Sequence, residues 1–170
     1  FQNIKLNENA PPKISEKTYS IIKQDFKNSE NIKSSNLLIF DNNLSFEFTD
    51  FKNNKFKKIY LVSNKNENRE IKLSEKIVNF KTGLIEDQKN QLKEKSIDCE
   101  IIDISEIKNI ENCYYLYPCV GENLDYLNSQ GMNSLEFLYR NLDRNFWKYC
   151  DKGFFNFKKY IPKIIKEFFK

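Results

Sequence analysis

The chain has 170 residues, 39% of them hydrophobic and 31% charged, with a net charge of +4 and no histidine. That length supports one domain with its own core, and the balance of apolar and charged residues is that of a globular chain. The missing imidazole removes the commonest general base, and with it the usual nucleophile–base arrangements.

Positive charge is concentrated at one end. From Phe146 to Lys170 there are seven lysines against Asp151 and Glu167. A basic tail can meet phosphates or an acidic protein, or simply keep an aromatic-rich helix in solution. The four cysteines, Cys99, Cys113, Cys119 and Cys150, form no CxxC pair. Structural zinc usually needs closely spaced Cys or His pairs, so the thiols read as buried and free in a reducing compartment. No run reaches the length of a membrane span and no signal peptide is visible, so the chain reads as cytoplasmic. The first residue is Phe1, which reads as a fragment or a processed chain.

Taken in order, residues 1–33 read as an extended lead-in or linker around the Pro11–Pro12 pair, with one short helical stretch. Residues 34–170 read as a single α/β domain. "NLLIF", 36–40, is a short apolar run suited to a strand buried on both faces. "FKKIYLVSN", 56–64, predicts the second strand. The spacing then predicts a helix over 74–95, with Ser74 as N-cap and a Leu73–Val78 staple. Ile77, Phe80, Leu84, Ile85 and Leu92 recur at steps of three and four, predicting one core-facing stripe. Gly83 inside it costs about 1 kcal/mol relative to Ala, a cost consistent with close packing on the sheet.

"DCEIIDI", 98–104, and "CYYLYP", 113–118, predict a third and a fourth strand. "GENLDYLNSQG", 121–131, predicts a short helix closed by Gly131. "SLEFLYR", 134–140, predicts a fifth strand. The last 25 residues read as a turn and a terminal helix from about Lys158, with Pro162 in its first turn. Strands alternating with helices predict an α/β fold: a Rossmann-like three-layer sandwich with a mostly parallel five-stranded sheet.

Two stretches are candidate sites. In open α/β sheets ligands bind beyond the carboxyl ends of strands. There the chain places Pro118, Gly121, Glu122, Asn123 and Asp125. Free N–H groups at a helix start can bind an anion, but Glu122 and Asp125 beside the turn would repel a phosphate. A single glycine is no dinucleotide fingerprint, and a purely structural turn is the simpler reading. Cys119 lies nearby without an imidazole to activate it. Asp103, Asp143 and Asp151 make a carboxylate site only if the fold gathers them.

The second stretch carries Trp147, Lys148, Tyr149, Lys152, Phe155, Lys158 and Lys159. Rings and lysines together suit base stacking and phosphate neutralisation, or docking of another domain. Phe154, Phe157, Ile161, Ile164, Ile165 and Phe168 recur at helical steps and read as core, leaving Trp147, Tyr149 and Phe155 unclaimed.

The segments "LNENAPP", "NLLIFDNNLSFE", "YLYPCVGENLDYL" and "LDRNFWKYCDKGFFNFKKYIPKII" follow one another in an order that resembles the C-terminal α/β domain of flavin-domain-first members of the photolyase/cryptochrome family. Ala10-Pro11-Pro12 is similar to the family's domain junction. Trp147, Gly153, Phe154, Phe155, Ile161 and Pro162 are similar to its C-terminal pattern, with Lys148 where a proline is expected and Cys150 in place of a small residue. The resemblance implies a companion, antenna-like domain that supports DNA repair or photoreception. It also implies a missing N-terminal helical domain that holds FAD and carries a photolyase-like lyase activity. No cofactor, metal or catalytic residue is implied in this chain, and DNA is a candidate partner. Two other readings stand beside it: a stand-alone module binding nucleic acid or an acidic partner through the basic aromatic end, and a small nucleotide-binding enzyme with its site at 117–125.

Overall fold

The computed structural model describes residues 35–44, 56–132, 137–150 and 153–168. The lead-in 1–33, Asp151 and Lys152 therefore lie outside the described residues, as does the side chain of Phe168.

Five short strands form one sheet: β1 (Asn36–Phe40), β2 (Ile59–Ser63), β3 (Cys99–Asp103), β4 (Cys113–Leu116) and β5 (Phe137–Leu138). Their order is β3-β2-β1-β4-β5 and every pairing is parallel. β1 lies in the centre, in register with Ile59 through Leu37 on one side and with Tyr114 on the other. Its apolar run has no polar interruption because both of its faces are covered. The expected α/β class and the five-stranded count hold, and the pairing is wholly parallel.

Alternation along the strands splits the core into two halves. On one face Leu37, Ile39, Ile59, Leu61, Cys99, Leu116 and Leu138 pack with Ile85 and Leu92. Those two come from the long helix α1 (Glu75–Glu94). On the other face Leu38, Phe40, Val62, Ile102 and Tyr115 pack with Ile104, Ile107 and Leu127. Leu127 belongs to α2 (Glu122–Ser129), and the two isoleucines to a 3₁₀ segment over Ile104–Asn109. The layers are thus helix, sheet, and a thinner layer of helix and 3₁₀ turn.

α1 has the expected bounds, but not the expected face. Only Ile85 and Leu92 are buried, while Ile77, Phe80 and Leu84 are exposed. The covered face runs instead through Val78, Lys81, Ile85, Gln88 and Leu92, so Ile77, Phe80 and Leu84 lie one position to the side of it. Gly83 does not serve close packing either, because a Cβ there would meet open space. Ser74 stands at the N-cap position, but its side chain makes no capping hydrogen bond.

The carboxyl-terminal region also departs from expectation. Two short helices that were not expected, α3 (Asn141–Trp147) and α4 (Phe154–Phe157), precede the terminal helix α5 (Ile161–Phe168), which starts three residues after the expected Lys158. Gly153, at φ +77°, breaks the path before α4, and Pro162 sits in the first turn of α5 as expected. The predicted core stripe is only partly core: Ile164 is buried, whereas Phe154 and Ile165 are exposed. Trp147, predicted to be unclaimed, packs edge-on against Tyr117 and Tyr139 at centroid distances of 5.7 and 5.9 Å.

Of the four thiols only Cys99 is buried, and Cys150 is exposed, which corrects the reading of all four as buried. Burial pushes the Cys99 and Cys113 thiols up from their ordinary pKa. No helix among the described residues is long and apolar enough to cross a membrane.

Candidate functional site

β1 and β4 are neighbours, and the connections that leave their carboxyl ends run in opposite directions, to β2 on one side and to β5 on the other. This is the topological switch point where open α/β sheets bind ligands. The residues that follow β1 are Asp41, Asn42 and Asn43. Leu37 to Phe40 satisfy the demand for apolar side chains, and the first polar residues fall where the sheet ends.

Asp41 is the hub. Its side chain is 1% exposed and meets three groups from three other segments. Lys81 Nζ of α1 lies 2.9 Å from Oδ2 and Arg69 Nη2 lies 3.4 Å from the same oxygen. Asn123 Nδ2, from the first turn of α2, donates to Oδ1 at 2.9 Å and to Asn42 Oδ1 at 3.0 Å. Glu122 completes the cluster, pairing with Arg69 Nη1 and with Lys81 Nζ. Two cations and two carboxylates are thus held together, with Arg69 only 2% exposed at its side chain.

Arg69 is positioned by the loop after β2. Its Nε and Nη2 donate to the Asn64 carbonyl at 3.1 and 2.7 Å. The loop is fastened by Asn66, which accepts from Leu73 N and donates to the Leu73 carbonyl. Lys72 Nζ caps the carbonyls of Asn66, Glu67 and Arg69. Asp103, at the tip of β3, anchors the same loop through Asn68 Nδ2 and Lys65 N, and also accepts from Ser105 N and Oγ. Burial alone would raise the Asp103 pKa, but these donors outweigh it and hold the carboxyl below its ordinary value.

Beside the cluster lies a pocket of about 330 Å³, at the small end of the range for ligand sites. Ser63, Asn64, Arg69 and Lys81 line it together with Leu73, Val78 and Ile85. Asn64 and Asn123 each carry a buried Oδ1 without a hydrogen-bond partner. Native structures seldom leave such acceptors unmet, because each costs ~1–3 kcal/mol.

The predicted ligand residues divide. Glu122 and Asn123 enter the cluster. The Pro118 carbonyl accepts from Asn42 Nδ2 and fastens β4 to β1, as the Tyr117 carbonyl does from Asn43 Nδ2 at 3.0 Å. Gly121 precedes α2 at φ +128°, ψ −166°, a conformation open almost only to glycine. Asp125 is exposed and takes no part. The Glu122 carboxylate is paired with Arg69 and Lys81, which it shares with Asp41.

Asp103 and Asp143 do not gather into a carboxylate site: the first holds a loop, and the second pairs with Arg140 at 2.7 Å. At Cys119, burial raises the thiol pKa and Asp143 adds to the rise, so the thiol is held away from the nucleophilic thiolate.

At the basic aromatic end, Tyr149 stacks on Tyr160 at 4.2 Å, and Phe155 is 79% exposed with Lys158 Nζ 5.8 Å from its ring centroid. Lys148 donates to Asn145, and Lys159 is exposed. Rings there are partly anchored and partly free.

Sequence reasoning missed Asp41, Asn64, Arg69 and Lys81. One signal was present: "DNN" directly after an apolar run marks a strand tip. Arg69 is one of only three arginines in a lysine-rich chain. The planar guanidinium suits a buried fork of acceptors better than an ammonium does. Comparison of the chain with protein-family models, with curated proteins and with solved structures finds no match.

Proposed function

We propose that the chain is the non-catalytic α/β companion domain of a photolyase/cryptochrome-like flavoprotein, an antenna-like layer supporting DNA repair or photoreception. The observation that carries this reading is the behaviour of the C-terminal segment on which the resemblance rests. Trp147 is anchored between Tyr117 and Tyr139 at the end of the sheet, while Phe154 and Phe155 remain exposed seven and eight residues later. A segment fixed at one end and apolar on its free face suits a docking surface for a second domain. In this reading FAD belongs to that second, helical domain, and this chain supplies packing.

The test is the absorption spectrum of the protein expressed from the intact gene. A bound-flavin spectrum supports the companion role. A colourless protein from a gene that starts near Phe1 overturns it. A role for the same surface in holding DNA predicts salt-dependent binding that Lys158→Glu with Lys159→Glu abolishes.

A second reading, small-molecule binding at the carboxyl edge of the sheet, is favoured by a separate observation. Three segments converge on Asp41 at the switch point, beside a pocket with an unpartnered buried acceptor. It predicts ligand-dependent thermal stabilisation that Gly121→Val removes by displacing Glu122 and Asn123. Absence of a shift with every ligand class tried would defeat it.

A further inference from the structure

Two unlike elements line the pocket beside the Asp41 cluster. The loop after β2 contributes Lys65 and Glu67, and the start of α1 contributes Val78 and Ile85, with Leu73 just before it. The charges of the cluster are already matched, because Arg69 and Lys81 are each shared between Asp41 and Glu122. Lys65 and Glu67 stand outside that balance. Both are exposed, and neither forms an ion pair with the other or with a third group among the described residues.

The loop that carries them is nonetheless held in place. Lys65 N donates to Asp103 Oδ2 at 3.3 Å, and the Glu67 carbonyl accepts from Lys72 Nζ at 3.1 Å. Asn66, between them, is tied to Leu73 in both directions. The pocket therefore offers one open cation, one open carboxylate and an apolar surface on a backbone that needs no ordering before a ligand enters.

On the small-molecule reading of the switch point, on which this step rests, we infer that the pocket binds an aliphatic α-amino acid in its zwitterionic form. The ligand carboxylate pairs with Lys65 Nζ, and its ammonium pairs with the Glu67 carboxylate. Its branched side chain lies against Leu73, Val78 and Ile85, where burial of apolar surface adds to affinity. A phosphate would set like charge against Glu67, and an uncharged ligand would leave both groups unmet. The volume of about 330 Å³, at the small end of the range for ligand sites, suits a ligand of that size.

The experiment titrates the 170-residue chain with leucine by calorimetry, with thermal melts in parallel. Isocaproate keeps the branched body without the ammonium, isoamylamine keeps it without the carboxylate, and inorganic phosphate is the plain anion. The expected result is saturable leucine binding, with each truncated analogue about tenfold weaker, the loss of one charge-assisted hydrogen bond. Lys65→Met and Glu67→Gln should each weaken leucine by a similar factor. Lys65→Met should leave the amine's affinity unchanged, and Glu67→Gln that of the carboxylate. Neither variant should shift the melting temperature of the ligand-free protein, because both side chains are exposed.

Tighter binding of phosphate or of either analogue than of leucine would overturn the zwitterion assignment and leave the small-molecule reading standing. Leucine binding that survives both substitutions unchanged would do the same. No binding by any of these compounds would also overturn the assignment, whereas the broader reading falls only when no ligand class shifts the melt.

Discussion

Replacing Asp41 by alanine tests whether the polar cluster is part of the folding energetics. The substitution removes the acceptor for Arg69, Lys81 and Asn123 together. Lys81 is partly exposed and can turn to water, but the Arg69 side chain is 2% exposed and cannot. Breaking a buried pair by removing one partner costs ~3–5 kcal/mol. Glu122 remains as a second partner for Arg69, which places the expectation near the lower end, about 3 kcal/mol. That is a large share of the ~5–15 kcal/mol available to a domain. With a urea slope of roughly 1.5–2 kcal/mol/M, the unfolding midpoint should fall by about 1.5–2 M. The double variant Asp41→Ala with Arg69→Met should recover much of this, because the stranded charge is gone. A single-variant loss under about 1 kcal/mol, typical of an exposed pair, would refute the reasoning. So would a double variant whose loss is the sum of the two single losses.

Three further expectations follow from the same structure. Gly121→Ala should lower stability by ~1–3 kcal/mol because its backbone conformation is nearly closed to other residues, whereas Gly83→Ala, in open helix interior, should raise it by about 1 kcal/mol; paired thermal melts check both signs. Asp103 has a folded pKa held below its ordinary 3.8, so it contributes stability that is fully present above that value and is lost as pH falls through the lower folded value. Urea midpoints measured from pH 5 down to pH 2.5 should therefore fall less steeply in Asp103→Asn than in the parent. Finally, Leu92→Ala should cost ~2–5 kcal/mol as a core deletion, while Phe80→Ala on the exposed face of α1 should stay within about 0.5 kcal/mol; equal losses in chemical denaturation would show that Phe80 is covered after all.

How much of the molecule was legible in the chain varies by element. "NLLIF" and "IYLVS" announce buried parallel strands because an uninterrupted apolar run of that length can satisfy two covered faces. α1 was legible to within a residue, since Ser74 and the periodic apolar residues mark its ends and its period. Its buried face was not, because Ile77, Phe80 and Leu84 and the neighbouring Val78, Lys81 and Ile85 follow the same steps of three and four, and only the sheet decides which of the two adjacent rows it covers. Ile77 and Phe80 belong to the stripe by spacing and to solvent by geometry. The terminal helix was legible to within three residues of its start, because Pro162 suits a first turn, whereas the four-residue α4 after Gly153 was not, because so short a helix carries no period.

The sequence by itself determined the class: alternating apolar runs and amphipathic stretches leave an α/β sandwich as the arrangement that buries both kinds of face. Even the placement of Glu122 and Asn123 at a strand-to-helix turn was readable, because Pro118 and Gly121 bracket it locally. Only the tertiary structure decided the site. Asp41, Asn64, Arg69, Lys81 and Asn123 are spread over more than 80 positions, and no local pattern links them. They meet because β1 is central and all five strands point the same way, which brings the carboxyl ends of β1 and β2 and the starts of α1 and α2 to one edge. Strand order is set by which side chains pack best across the sheet, a long-range choice that a linear reading does not contain.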